Sequence, residues 1–378
     1  MDRDEKIELL GASARFDVCA SSCFNKGEGR KRAPYGIPRW IYPAVRPDGR
    51  RILLMKVLMA NACQNNCAYC HNRCGGAARQ TSFTPDELAR TFLDLNERGL
   101  AEGLFLSSAV ESDKTMGRML DAVEILRNRA HFRGYIHLKV LPGASFCQVE
   151  RAVELANRVS INLEAATPAG LQLLAPSKRF KDDLFVRLKW ISECIAKAGA
   201  CKGHTTQFIV GATPETDRDI FASVAGLYSN LRLERAYFSA FQPIAGTPLE
   251  GAMPVPLMRE HRLYQADYLL RQYRWPKDDL IFGTDGNLSL KEDPKYVWAR
   301  NHPERFPIEV NQADIEDLLR IPGVGPRSAK RIVEYRTRGR LHTMSDLRHF
   351  GAVTRRAAPF VLLNGKAQVD VADQISLL

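Results

Sequence analysis

Between residues 52 and 245 short apolar runs alternate with amphipathic stretches six times, and that rhythm leaves few folds open. The runs are RILLMKVLMA (51–60), GLFLSS (103–108), GYIHLKVLPG (134–143), RVSINLEA (158–165), HTTQFIVGA (204–212) and RAYFSAFQPI (235–244). The first is almost unbroken in its apolarity, as a parallel strand buried on both faces requires. Between the runs, apolar residues recur at helical spacing, as in TPDELARTFLDLNERG, where Thr84 stands as a helix cap. Six strand–helix units in order imply parallel strands joined by right-handed crossovers. Such a chain is α/β, and either doubly wound or a barrel, complete or partial. We expect a partial (β/α)6 TIM-like barrel. In either case the chemistry sits at the carboxyl ends of the strands.

The rest of the chain is organised around this body. Residues 1–51 form a basic and aromatic segment, 246–306 a bridging segment packed on the barrel, and 307–378 a small all-α domain. The net charge of +11 is uneven: residues 26–51 and 311–366 each carry +6. Two basic blocks around a neutral body suit a polyanionic partner. In the first block Tyr35, Trp40 and Tyr42 interleave with the cations, as base-stacking faces or as a lid on the barrel. The N-terminus lacks an apolar signal core and no run of eighteen apolar residues occurs, so a cytoplasmic chain without a membrane span is expected. The nine cysteines are then thiols or metal ligands and not a disulfide framework.

Three of them fall in NACQNNCAYC, just after the first strand and therefore on the reactive rim: Cys63, Cys67 and Cys70. The spacing suits zinc, an iron–sulfur cluster or coincidence. Structural zinc takes four ligands in paired knuckles; His71 or Cys74 would have to serve, and no second CxxC follows. Three thiolates on a four-iron cluster leave one iron open to a ligand. The spacing, with Tyr69 before the third cysteine, resembles the radical S-adenosylmethionine (SAM) superfamily. That resemblance implies a [4Fe–4S] cluster on Cys63, Cys67 and Cys70 whose open iron chelates the amino and carboxyl groups of SAM. An electron then cleaves SAM to methionine and a 5′-deoxyadenosyl radical that abstracts hydrogen. It also implies a SAM pocket at the strand ends, here Tyr69, Ser107, Ser108, Lys139, Glu164 and Gln207. Glu164 would meet the ribose, and QFIVGATPET (207–216) resembles the element that packs on the adenine. FLSSAVES stands where members often have Gly-Gly-Glu for the SAM amino group, and FQPIAGTPL (241–249) resembles the sixth-strand element of tRNA- and porphyrin-modifying members. Lys139 and Glu164, as strand-end charges, are ligand contacts or a structural ion pair.

The stretch NQADIEDLLRIPGVGPRSAKRIVEYR (311–336) carries a second chemistry. Asn311 is placed to cap a short helix, the turn Pro322-Gly323-Val324-Gly325 follows, and Pro326 opens a second helix. The glycines allow positive φ and close approach, so turn amides gather at a positive helix end that suits a phosphate. This resembles the helix-hairpin-helix motif of DNA-repair proteins, with Gly323, Val324, Gly325, Arg327, Ser328, Lys330 and Arg331 as the nucleic-acid contacts. Residues 344–365 look like a degenerate second hairpin without the Gly-x-Gly turn. Cys19 and Cys23 are a second partial cluster site or two packed residues, and Cys147, Cys194 and Cys201 are expected in the core.

Over nearly its full length, from ARFDVCASSC to the hairpin, the chain resembles one family of radical SAM proteins assigned to DNA modification or repair; it departs at Ala109, where that family has glycine. The resemblance implies DNA as substrate and a uracil-DNA-glycosylase-like partner, and a flavodoxin or ferredoxin as electron donor. An RNA-modifying enzyme and a non-enzymatic iron–sulfur redox sensor on DNA remain alternatives.

Overall fold

The computed structural model describes residues 1–14, 40–45, 51–76, 79–198, 201 and 203–368. Cys19, Cys23, Tyr35 and the basic run up to residue 39 lie outside these. The chain divides into two compact units, Met1–Glu260 and His261–Leu378.

The first unit is built on one seven-stranded sheet: β1 (Ile41–Val45), β2 (Arg51–Leu58), β3 (Gly103–Ser107), β4 (Tyr135–Lys139), β5 (Arg158–Ser160), β6 (His204–Val210) and β7 (Arg235–Ala240). The spatial order is the chain order, and β2 to β7 pair parallel throughout. A doubly wound sheet must reverse its strand order; this one never does, so the twist of successive strands curls it into an open half-barrel. The six expected strands are all present, and β3 and β6 are buried along their whole length. The crossover helices are α2 (Pro85–Glu97), α3 (Thr115–Glu124), α4 (Phe146–Leu155), α5 (Pro168–Leu174), α6 (Val186–Ala198) and α7 (Asp217–Leu231), and α1 (Arg3–Ala14) precedes the sheet. Thr84, Ser145 and Thr216 start α2, α4 and α7 through capping boxes, each hydroxyl accepting from the backbone N–H three residues on.

Strand β1 was not anticipated. It pairs antiparallel with β2, and Pro43 is tolerated because this is a sheet edge. Trp40, for which a base-stacking face and a packed lid were both open, is buried, which favours packing. Its indole rests where Gly11 of α1 has no side chain, and its Nε1 donates to Glu8 at 3.1 Å. Cys194 and Cys201 are buried as expected, but Cys147 is exposed, because α4 turns its first residues outward.

His204 opens β6 with 2% of its surface exposed, and its Nε2 has no partner among the described residues. Burial pushes the imidazole down to about 4 from the ordinary 6.5. The folded form keeps the ring neutral while the unfolded chain protonates first, so its stabilisation is complete above pH 6.5 and lost as pH falls towards 4. At about 1.4 kcal/mol per unit the loss is roughly 3 kcal/mol. Urea titrations across this range should show an acid limb that His204→Leu flattens.

In the second unit α8 (Leu257–Gln272) crosses the division, and α9 (Pro294–Arg300), β8 (Ile308–Glu309), α10 (Ile315–Arg320), α11 (Pro326–Arg336), α12 (Met344–His349), α13 (Thr354–Ala357), β9 (Val361–Leu363) and β10 (Lys366–Ala367) follow. The domain is helical but not all-α: β8, β9 and β10 make a three-stranded sheet too short to show an apolar alternation in sequence. Much of the aromatic 246–306 stretch belongs to this unit's core. Arg320 lies 4.2 Å from the Trp275 ring and 4.4 Å from that of Trp298, and ion-pairs with Asp279 at 2.5 Å. Asn311 does not cap α10; Asp314 does, its carboxylate accepting from Asp317 N. Asn311 instead bridges to Leu341, accepting from its N–H and donating to its carbonyl, which fastens the start of the domain to the loop before α12.

Helices α10 and α11 form one hairpin, α12 and α13 another, offset by twenty-eight residues. Gly323 and Gly351 occupy matching places with φ of +89° and +91°. A Cβ on Gly323 would stand 2.5 Å from Val353 O and 3.1 Å from Arg356 Cβ; one on Gly351 would meet Ser328 Oγ, the counterpart of Arg356. Each turn therefore packs on the first helical turn of the other, an exchange that identifies an approximate two-fold axis.

Candidate functional site

The cysteine loop leaves the end of β2 and is tied down on every side. Met59 N donates to Ser107 O and Ala109 N to Ala60 O, while Ser108 Oγ accepts from Ala60 N and donates to Ala60 O. Further on, Gln64 N donates to Val110 O and Ala68 N to Leu174 O, the last residue of α5. Ser177 Oγ accepts from Asn66 N and donates to Asn65 Oδ1. A loop held by β3 and by the α5 crossover keeps its side chains in fixed places.

Cys63, Cys67 and Cys70 share one pocket of about 110 Å³ with Tyr69, Ser107, Ser108, Lys139, Glu164 and Gln207. All nine residues expected at the cofactor site are thus brought together from the cysteine loop, from β3 and the residue after it, from β4 and β6, and from the segment that follows β5. Ser108 has its hydroxyl committed to Ala60 in both directions, so its contribution to a ligand falls to its backbone. Ser239 is buried on β7 and is not part of the pocket wall.

Four further polar residues of the pocket escaped the sequence: Lys178, Asn72, Asn162 and Asn65. Lys178 follows α5 and puts Nζ 3.2 Å from Glu164 Oε1, with both side chains nine-tenths buried or more. Glu164 is therefore in an ion pair and on the pocket wall at once. It holds φ of +67°, a left-handed conformation costly for a residue with a Cβ. Backbone bonds from Glu164 N to Gln207 O and from Ile209 N to Glu164 O fix it there. Burial and the nearby Glu164 and Cys67 push the Tyr69 phenol well up, and it hydrogen-bonds Glu164. Burial also raises the Lys178-facing Cys67 thiol, and takes that of Cys70 to about 12.

These residues fit a four-iron cluster. A four-iron cube binds each cysteine at a different corner and needs three separated thiols on one wall. A cationic iron–sulfur core would hold these ligands as thiolates. Cys74, exposed on the same loop, and His71 are not among the lining residues.

In the second unit Gly325 caps α11 without any side-chain bond, and no acceptor among the described residues faces the N–H of Gly323, Gly325 or Arg327. Behind the turn Val324 O accepts from Lys295 Nζ at 2.5 Å and from Tyr273 Oη at 3.4 Å. Lys295 is buried over the Tyr273 ring, and burial together with Arg356 lowers its ammonium well below the usual lysine range. Arg327, Lys330 and Arg331 are exposed on α11. Ser328 is buried against Gly351, so its side chain is not presented with them. The second hairpin differs: Gly351, Ala352 and Val353 donate to Arg348 O, Leu347 O and Gly323 O.

Residues 57–225 match the radical SAM superfamily, and residues 305–357 match the helix-hairpin-helix motif. The barrel carries a radical SAM domain. Members of that superfamily bind a [4Fe–4S] cluster and SAM. No curated protein matches the chain. Among solved structures, the FeFe-hydrogenase maturase HydG from Carboxydothermus hydrogenoformans is 14% identical, with TM-score 0.47, covering 56% of this chain and 50% of its own. Methylornithine synthase (PylB) is 16% identical, with TM-score 0.45, covering 55% of this chain and 59% of its own. The chain spans roughly half the length of these relatives, and likeness at this level carries no argument about substrate. No helix among the described residues is long and apolar enough to cross a membrane.

Proposed function

We propose that this chain is a radical SAM enzyme acting on nucleic acid, with DNA as the substrate and repair or modification as the outcome. The observation that carries the reading is one pocket lined by three thiols and by polar residues at or beyond the ends of four strands, in the same chain as an uncapped helix-hairpin-helix turn. When bound, the cluster and SAM supply a one-electron reductive cleavage that yields a hydrogen-abstracting radical. The chain's own residues do the rest. Cys63, Cys67 and Cys70 would hold three irons of the cluster; Lys178 holds Glu164 in place on the pocket wall. Leu58, Val110, Leu141 and Ile161 line the same pocket and keep water from it. Electrons would come from a flavodoxin or ferredoxin, and a uracil-DNA-glycosylase-like protein is the partner the family resemblance adds.

The deciding experiment is anaerobic reconstitution, reduction with dithionite and assay of 5′-deoxyadenosine with duplex DNA, single-stranded DNA and tRNA. Stimulation by DNA supports the reading. Stimulation by tRNA alone moves the substrate to RNA, and a cluster that never cleaves SAM leaves a redox sensor.

For the hairpin, the triple variant Arg327→Ala/Lys330→Ala/Arg331→Ala should weaken DNA binding at least about tenfold near 0.15 M salt. The slope of log K against log salt should fall by about 2–3, since each lost phosphate contact removes about 0.9. Fluorescence anisotropy over a salt series checks this; an unchanged slope would mean these cations do not touch phosphate.

A further inference from the structure

The pocket wall carries a polar atom without a partner. Asn72 is nine-tenths buried, sits two residues past Cys70, lines the pocket, and its Oδ1 meets no donor among the described residues. An amide oxygen buried in this state is unfavourable, and inside a native pocket it calls for a donor that arrives with the ligand.

Three other side-chain acceptors near this end already have partners. Ser108 Oγ is closed on Ala60, Glu164 holds Lys178 and Tyr69, and Glu111, the carboxylate just past β3, is held by Arg118. FLSSAVES also lacks the Gly-Gly-Glu acceptors expected for the amino group of SAM. Asn72 belongs to the cysteine loop itself, and the methionine end of SAM is the end that meets the cluster.

We propose that Asn72 Oδ1 accepts a hydrogen bond from the amino group of SAM and replaces the missing Gly-Gly-Glu. This rests on reading the pocket as a SAM site. The loop thus does two things: its cysteines hold the cluster, and its asparagine selects the ligand that the open iron receives.

The test uses the anaerobically reconstituted full chain, with SAM and a desamino analogue in which hydrogen replaces the amino group. Dissociation constants come from equilibrium dialysis, and the electron paramagnetic resonance signal of the reduced cluster gives a second readout. Wild type should prefer SAM, and Asn72→Ala should shrink that preference about tenfold, the scale of one hydrogen bond to a buried acceptor, with iron content unchanged. Asn72→Asp, which can only accept, should keep the preference. Equal weakening of both ligands by Asn72→Ala, or no weakening, overturns the assignment. If Asn72→Ala loses iron, Asn72→Asp decides: a preference kept supports the proposal, and a preference lost at full iron content overturns it. Failure of the wild type to bind SAM at all would defeat the pocket reading itself, an outcome separate from any defect confined to Asn72.

Discussion

Cys67→Ala, reconstituted without oxygen, is expected to lose most of its iron and to form no 5′-deoxyadenosine above background. Cys67 is the least exposed of the three cysteines, and its segment is pinned by the bond from Ala68 N to Leu174 O. Two thiolates hold a four-iron cube poorly, and without a cluster there is no electron for SAM. Iron and sulfide per chain, the reduced-cluster resonance signal and chromatography of the nucleoside product check the result. Cys74→Ala is the companion variant. Cys74 is exposed and outside the pocket wall, so its loss should leave iron and SAM cleavage intact. If Cys74→Ala instead strips the cluster, a fourth thiolate closes the corner that SAM needs and the enzymatic reading fails.

Lys178→Met should destabilise the fold by about 3–5 kcal/mol, the scale for removing one partner of a buried ion pair. The cost comes from what stays behind. Glu164 is 5% exposed and fixed in a left-handed backbone conformation, so its carboxylate is left buried without its cation. Removing both partners in Lys178→Met/Glu164→Leu should recover a large part of the loss, because no lone charge is then buried. Urea unfolding of the two variants measures both effects. A single variant within about 0.5 kcal/mol of wild type would show that the pair is solvated and adds little, as exposed pairs do.

The half-barrel was legible because local pattern dictates it. β2, β3 and β6 are apolar runs of strand length, and Thr84 precedes Glu87 at the spacing of a capping box, so propensity and tertiary structure agree. The cysteines were legible because three thiols in eight residues have few other uses. Lys178 was not, since its partner lies fourteen residues upstream on another element and nothing in APSKRF marks it. Asn72 looked like one more polar loop residue; only burial makes its oxygen conspicuous. Asn311 was mistaken for a cap because Asn311 and Asp314 are both good caps, and the choice is made by Leu341, thirty residues away. Trp40 was read by its neighbours in sequence, while its place is set by the missing side chain of Gly11.

The paired hairpins exchange turns about a two-fold axis, yet they are unequal, since Val353 gives its N–H to Gly323 O while the N–H groups of Gly323 and Gly325 face no acceptor among the described residues. On the proposed function such a domain would have one working jaw. It would grasp a single sugar–phosphate chain and be indifferent to whether a complementary chain lies alongside. Any preference for paired over unpaired nucleic acid would then have to originate elsewhere in the protein.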